Sequence, residues 1–316
     1  MPCRICCPAC QTGSSRHYTD VDGHAYFQCD MCASLHIAPE VLEALDRGEH
    51  VLGAGYAAEY WQQERDAAIE RASGLSIARA GEAILYCRRP VHRFLDVGSG
   101  PGFLVQQLQQ RLDPDATLVH GVERFPPAYA VDCPNIHHGG VEELRGTFDA
   151  GVCIEVIEHL TPSMLAGMAA GLAGVSAPGT LWLFNTGMPG YVVHEDPGYL
   201  DPLRRGHIVS YGIRAIEAIF APLGFSAQVL PGKSYAFIAE YRPFEKPDFN
   251  ARIYHPLPHN LQLLNRDGLL YQAAFEAARA SYYYDGYLQR TAWAVSLDEQ
   301  LRRLQARGRV RGPGGR

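Results

Sequence analysis

Phe94-Leu95-Asp96-Val97-Gly98-Ser99-Gly100-Pro101-Gly102-Phe103 is the stretch that decides the fold. Four residues of mainly apolar character run into a turn with three glycines. A helical run, Phe103 to Leu112, follows at once. That order is strand, tight turn, helix, the first crossover of a doubly wound α/β sheet. Ligands of such sheets bind outside the carboxyl ends of the strands. Glycine lets the backbone turn sharply and lets a ligand lie against it, because no Cβ intervenes.

The spacing narrows the ligand. A dinucleotide turn reads G-x-G-x-x-G, its third glycine allowing close helix–strand packing and the helix N-terminus holding a pyrophosphate. Here the spacing is G-x-G-x-G, and Phe103 occupies the place of that third small residue. Asp96, just before the turn, would repel a diphosphate. It suits a cationic ligand with an ammonium group, such as S-adenosylmethionine.

The stretch resembles motif I of the class I S-adenosylmethionine-dependent methyltransferases. Further pieces occur in the family's order over residues 93–240. Val119-His120-Gly121-Val122-Glu123 reads as a second strand ending in an acid, where the family binds the ribose hydroxyls. Asn135–His138 reads as a third strand. Val141-Glu142-Glu143 falls at the family's adenine-contacting loop. Phe148–Glu155 resembles the fourth strand, and Pro178–Phe184 the turn into the fifth. The resemblance implies a Rossmann-like seven-stranded α/β sheet, closed by an antiparallel pair at Ala227–Leu230 and Tyr235–Tyr241. It implies a cofactor site of Asp96, Gly98, Ser99, Gly100, Gly102, Phe103, Glu123, Val141, Glu142 and Glu155.

Six of the nine cysteines precede residue 33. That clustering fits metal ligation in a reducing, cytoplasmic setting better than a disulfide framework. Cys7-Pro8-Ala9-Cys10 and Cys29-Asp30-Met31-Cys32 are two C-x-x-C knuckles flanking a hairpin that turns at Asp22-Gly23. Knuckle, hairpin, knuckle predicts a zinc ribbon. Four thiolates fill a tetrahedral ion, so the zinc is structural. Cys3-Arg4-Ile5-Cys6 is an alternative first knuckle.

The chain divides accordingly: a ribbon at 1–37, a helical cap or linker at 38–92, the cofactor-binding domain at 93–241 and a helical extension at 242–316. Tyr56, Tyr60 and Trp61 in the linker are candidates for lining the pocket. Pro243, Pro247, Pro256 and Pro258 predict an extended start to the last segment, and Arg302–Arg316 reads as unstructured. The net charge is −6 over 316 residues, which offers no general attraction for nucleic acid or anionic lipid. No stretch reaches the ~20 apolar residues of a spanning helix, and the first residues do not read as a secretion signal.

Methyl transfer is a displacement at an electrophilic sulfonium. It needs in-line positioning and, for a hydroxyl or acidic carbon, a base. Glu155-Val156-Ile157-Glu158-His159 follows the fourth strand at the cofactor-facing edge. Histidine is the side chain whose ordinary titration falls near neutrality, so His159 is the leading base, with Glu158 and Glu155 to orient it or touch substrate. His207, before the next long helix, is a second candidate. The segment resembles ubiquinone-pathway O-methyltransferases, whose acids and histidine can hold a divalent metal. It also resembles deoxysugar C-methyltransferases, which pair a zinc module with an E-H base. That family tends to carry Tyr two residues before the E-H glutamate, where this chain has Val156. The implied function is methyl transfer to a small-molecule or glycan acceptor. An RNA methyltransferase gripping its substrate with the ribbon and a non-catalytic scaffold are the alternatives.

Overall fold

The computed structural model describes residues 5–52 and 58–310; side chains of 58–64, 67 and 305–310 lie outside that description. The chain opens with β1 (Ile5–Cys6), β2 (Ser14–Val21), β3 (His24–Cys29) and β4 (Leu35–Ile37), then α1 (Pro39–Asp46), α2 (Ala58–Ser73) and α3 (Leu75–Tyr86). The alternating part runs β5 (Phe94–Val97), α4 (Phe103–Leu112), β6 (Val119–Glu123), β7 (Ile136–His138), β8 (Phe148–Ile154), α5 (Pro162–Gly174) and β9 (Ser176–Asn185). It continues through α6 (Pro189–His194), β10 (Val209–Ser210), α7 (Ile213–Phe220), β11 (Phe225–Val229) and β12 (Ala236–Tyr241). Three helices end the chain: α8 (Phe249–Tyr254), α9 (Pro258–Leu264) and α10 (Gly268–Val310).

The large sheet has seven strands in the order β11-β12-β9-β8-β5-β6-β7. Six run in the same direction, and β12 runs against both its neighbours. The expected Rossmann-like seven-stranded sheet, with its closing antiparallel pair, is therefore present. β5 lies inside it, between β8 and β6, with all four residues buried, which is why it reads as an unbroken run and not as an alternation. One apolar layer joins the sheet to α3, α4 and the C-terminal helices; the other joins it to α5 and α7.

The turn after β5 needs its glycines. Gly98 has φ of 72°, and a Cβ there would run into Val156. Gly102 has φ of 83°, caps α4, and a Cβ would strike Ile136 and Val131. Both conformations are left-handed, where a side chain is costly.

The cysteine-rich segment shares its sheet with the rest of the chain. Its strand order is β1-β2-β3-β4-β10, and β10 lies 172 residues beyond β4 in sequence. Val209 pairs with His36 and Ser210 with Leu35. Its cysteines belong to the same buried layer as Trp182 and Phe184.

Three readings of the C-terminal part are corrected. The proline-rich start contains α8, because Asp248 accepts from the Ala251 amide and caps a helix. Pro258 does not prolong an extended segment but opens α9 at a position where its missing N–H costs nothing. Arg302 does not begin an unstructured tail: α10 runs to Val310, and Asp298–Arg302 and Glu299–Arg303 pair one turn apart along it. The extension is fastened by Asn260, whose buried amide donates to the Ile84, Cys87 and Arg89 carbonyls and accepts from Val91.

Candidate active site and metal centre

The carboxyl ends of β5, β6 and β8 open onto a cavity of about 1070 Å³. Asp96, Gly98, Ser99, Gly100, Phe103, Glu123, Val141, Glu142 and Glu155 all line it, as do His159 and His207. Gly102 does not reach the cavity; it shapes the turn and caps α4. Helices α2 and α3 contribute Arg71, Ala72 and Ser76, and α5 contributes Met164 and Met168. Tyr56 and the side chains of Tyr60 and Trp61 lie outside the described residues.

Two carboxyl groups bracket the glycine floor. Both oxygens of Glu123 hold the loop: one accepts from Gly100 N at 2.7 Å, the other from Phe125 N at 2.8 Å. Asp96 is 4 % exposed. Burial, then the nearby Glu123 charge, pushes its carboxyl up to about 7. Ser99 keeps a buried hydroxyl with no partner among the described residues. A deep carboxylate and an orphaned hydroxyl over open backbone describe a place for a polar cation. Val141–Glu143 forms one tight turn of helix at the side, and Glu142 pairs with Arg124 at the rim.

The second cluster lies at the end of β8. Glu155 has φ of 52°, a left-handed conformation that a non-glycine residue adopts only when its surroundings hold it. Its oxygens accept from Asn185 Nδ2 at 2.9 Å and the Tyr199 hydroxyl at 3.1 Å. Glu158 is wholly buried and accepts from Thr186 Oγ1 at 3.0 Å, while its Oε1 has no hydrogen bond among the described residues. Burial raises both carboxyls, and the charge of Glu158 raises Glu155 further.

Two imidazoles face that orphaned oxygen. His159 Nε2 lies 4.0 Å and His207 Nε2 3.9 Å from Glu158 Oε1. The opposite ring nitrogens meet backbone carbonyls: His159 Nδ1 donates to Gly206 O at 3.1 Å, and His207 Nδ1 to Tyr199 O at 2.7 Å. A carbonyl only accepts, so each Nδ1 carries the proton and each Nε2 keeps its lone pair. Burial, then His159, lowers His207 to about 3, so it is neutral near pH 7.

The structure thus brings together Glu155, Glu158, His159 and His207, which are up to 52 positions apart in sequence. Asn185, Thr186 and Tyr199 belong to the cluster and were missed. The first two had a signal, since polar residues end the apolar run Thr180–Phe184 at the carboxyl edge of β9. Tyr199 had none. Asn185 is held in turn, its Oδ1 accepting from Arg79 Nε at 3.1 Å.

Cys7, Cys10, Cys29 and Cys32 converge, their sulfurs all within 4.8 Å of one another. Cys7–Cys32 and Cys10–Cys29 stand 3.8 and 3.7 Å apart. A tetrahedron with Zn–S bonds of ~2.3 Å has edges of about 3.8 Å. Cys6 is exposed and outside the cluster; Cys3 lies outside the described residues. Tyr26, between the knuckles, donates its hydroxyl to the carbonyl of His207 at 2.7 Å. Ile208 N in turn donates to Glu158 O. The cysteine segment therefore braces the histidine cluster.

Six strands running one way, one reversed strand and this order are the arrangement that the sequence resemblance implied. The fold is an α/β one with a seven-stranded Rossmann-like sheet, as the sequence led us to expect. No family model matches the chain, and no curated protein matches its sequence. Among solved structures it is similar to DesVI of Streptomyces venezuelae, at 16% identity over 54% of this chain and 94% of that one, TM-score 0.41. It is similar to CalS10, an S-adenosylmethionine-bound amino pentose methyltransferase of calicheamicin biosynthesis from Micromonospora echinaspora, at 19% identity over 63% and 96%, TM-score 0.39. A third is the magnesium protoporphyrin IX methyltransferase ChlM of Synechocystis, at 16% identity over 64% and 96%, TM-score 0.36. The methyltransferase sheet carries no acceptor specificity by itself, so the reading of the site rests on its own residues. Among the described residues no helix is long and apolar enough to cross a membrane.

Proposed function

We propose that the chain is an S-adenosylmethionine-dependent methyltransferase acting on a small-molecule or glycan acceptor, with His159 as general base. One observation carries this reading: the glycine floor flanked by Asp96 and Glu123 opens into the same cavity as His159 and His207. A cofactor floor and a set of proton acceptors share one enclosure.

In this reading Asp96 takes the ammonium end of the cofactor, Glu123 the ribose and Val141–Glu142 the adenine side. The cofactor supplies the electrophilic methyl. The acceptor gives its proton to Nε2 of His159, whose Nδ1–H is fixed by Gly206. The imidazolium so formed lies 4.0 Å from Glu158 Oε1, and that buried carboxylate stabilises it. Thr186, Tyr199 and Asn185 hold the two glutamates in place. The four cysteines hold a structural zinc that keeps Tyr26 against His207. Thermal melting tests the reading: S-adenosylhomocysteine should raise the melting temperature and NAD should not. No shift with S-adenosylhomocysteine would overturn it.

The orphaned Oε1 favours a second reading. It and the two Nε2 atoms lie within 4.8 Å of one another, the donor set of a divalent cation. In that case Glu158, His159 and His207 would bind the ion, which would acidify a bound acceptor hydroxyl, and neither imidazole would act as base. Turnover abolished by a chelator and restored by Mg²⁺ or Zn²⁺ supports this version; turnover indifferent to chelator removes it.

A further inference from the structure

The first half of α10 is packed. Leu270, Ala274 and Ala278, one turn apart, are buried against α3, where Gly81 lets Ala274 approach. Contact with the body ends where Gly232 meets Ser281 and Asp285. From Tyr287 to Leu304 every residue is exposed. That is 18 residues, a rod of about 27 Å at 1.5 Å per residue.

The exposed half carries an apolar stripe. Tyr287, Arg290, Ala294, Leu297, Leu301 and Leu304 recur at spacings of three and four. That is the a/d pattern of a two-stranded coil. Tyr287 is 64 % and Leu304 63 % exposed. A lone helix this short gains little stability from its own hydrogen bonds in water. It needs a partner with a matching stripe.

We propose that this half of α10 pairs with the same segment of a second copy, antiparallel. Arg290 breaks the stripe, and in a parallel pair it would face its own copy across the seam, two like charges without counter-ions. Antiparallel, with Leu297 opposite Leu301 of the other copy, Arg290 falls opposite Gly308, where no side chain competes for space. Ala294 then meets Leu304, a small residue against a large one, twice by symmetry. The same arrangement keeps the Arg302–Arg303 end of one helix away from that of the other and puts the two catalytic bodies at opposite ends of the rod. Each helix would bury on the order of 600–800 Å², near the ~800 Å² per partner of a stable interface.

Light scattering on the full chain, at tens of micromolar, tests this. The expected mass is twice 34.8 kDa. Leu297→Glu with Leu301→Glu should give the single mass with the melting of the body unchanged, and Arg303→Gln, on the outer face, should leave the doubled mass. Small-angle scattering should show two separated bodies. A monomeric wild-type chain, or a dimer that survives the double substitution, overturns the proposal. So does a wild-type chain that stays monomeric and sediments with phosphatidylglycerol vesicles, which would make the stripe a lipid-binding face. A scattering profile with the bodies side by side overturns the antiparallel arrangement.

Discussion

The rings of His159 and His207 stand 4.9 Å apart at 71° to each other, and both turn Nε2 toward one oxygen of Glu158. Their tautomers are fixed from behind by two carbonyls, Gly206 and Tyr199, of the one segment between α6 and β10. Such an arrangement accepts one proton at little reorganisation cost, because the oxygen that would stabilise the imidazolium is already there and has no hydrogen bond among the described residues.

His159→Ala should therefore leave S-adenosylhomocysteine binding intact and slow transfer by about 10²–10⁴-fold, the usual weight of a general base. Glu158→Gln should slow transfer while changing KM for the cofactor little. Single-turnover kinetics with saturating cofactor would measure both. Wild-type turnover in His159→Ala would remove this residue from the chemistry.

Cofactor affinity should depend on pH through Asp96. Its carboxyl is raised from 3.8 to about 7 by burial and by Glu123, and an ammonium group needs it ionised. Affinity should rise about tenfold per pH unit up to about 7 and level off above. Binding below pH 7 should release a proton, visible as calorimetric heats that differ between buffers. The stability of the free protein should show the opposite trend. A raised carboxyl binds more protons folded than unfolded, so its stabilising contribution is present below pH 3.8. It is lost between pH 3.8 and about 7, at about 1.4 kcal/mol per unit. Asp96→Asn should flatten both dependences.

Tyr26→Phe removes the hydroxyl that the cysteine segment lends to the His207 carbonyl. That carbonyl is buried, so the loss should cost about 1–3 kcal/mol of stability. It should lower kcat more than it raises KM for the cofactor. Cys29→Ser should lower the zinc content from one per chain and reproduce the kcat defect. Metal analysis together with steady-state kinetics checks the pair. Full activity in a zinc-free Cys29→Ser protein would separate the ribbon from the active site.

Much of this fold was legible because its signals are local. The strand, glycine turn and helix at 94–112 stand in sequence order, Phe103 argues against the dinucleotide spacing, and the acid at Glu123 comes at the right distance. The cysteines announced themselves by spacing. What escaped the sequence was non-local. β10 is two residues long, too short for any period, and exists only because β4 offers it an edge. Tyr199 reaches Glu155 from a loop whose path no pattern dictates. Arg302 lies in a glycine- and arginine-rich end whose composition reads as coil, yet charge pairs one turn apart continue the helix.

Diffraction from crystals grown with S-adenosylhomocysteine tests the central claim most directly. The account predicts density for the amino-acid end against Asp96, the ribose at Glu123 and the base beside Val141–Glu142, with the sulfur facing His159. A hollow left empty under saturating ligand, or one that takes a diphosphate instead, would contradict it.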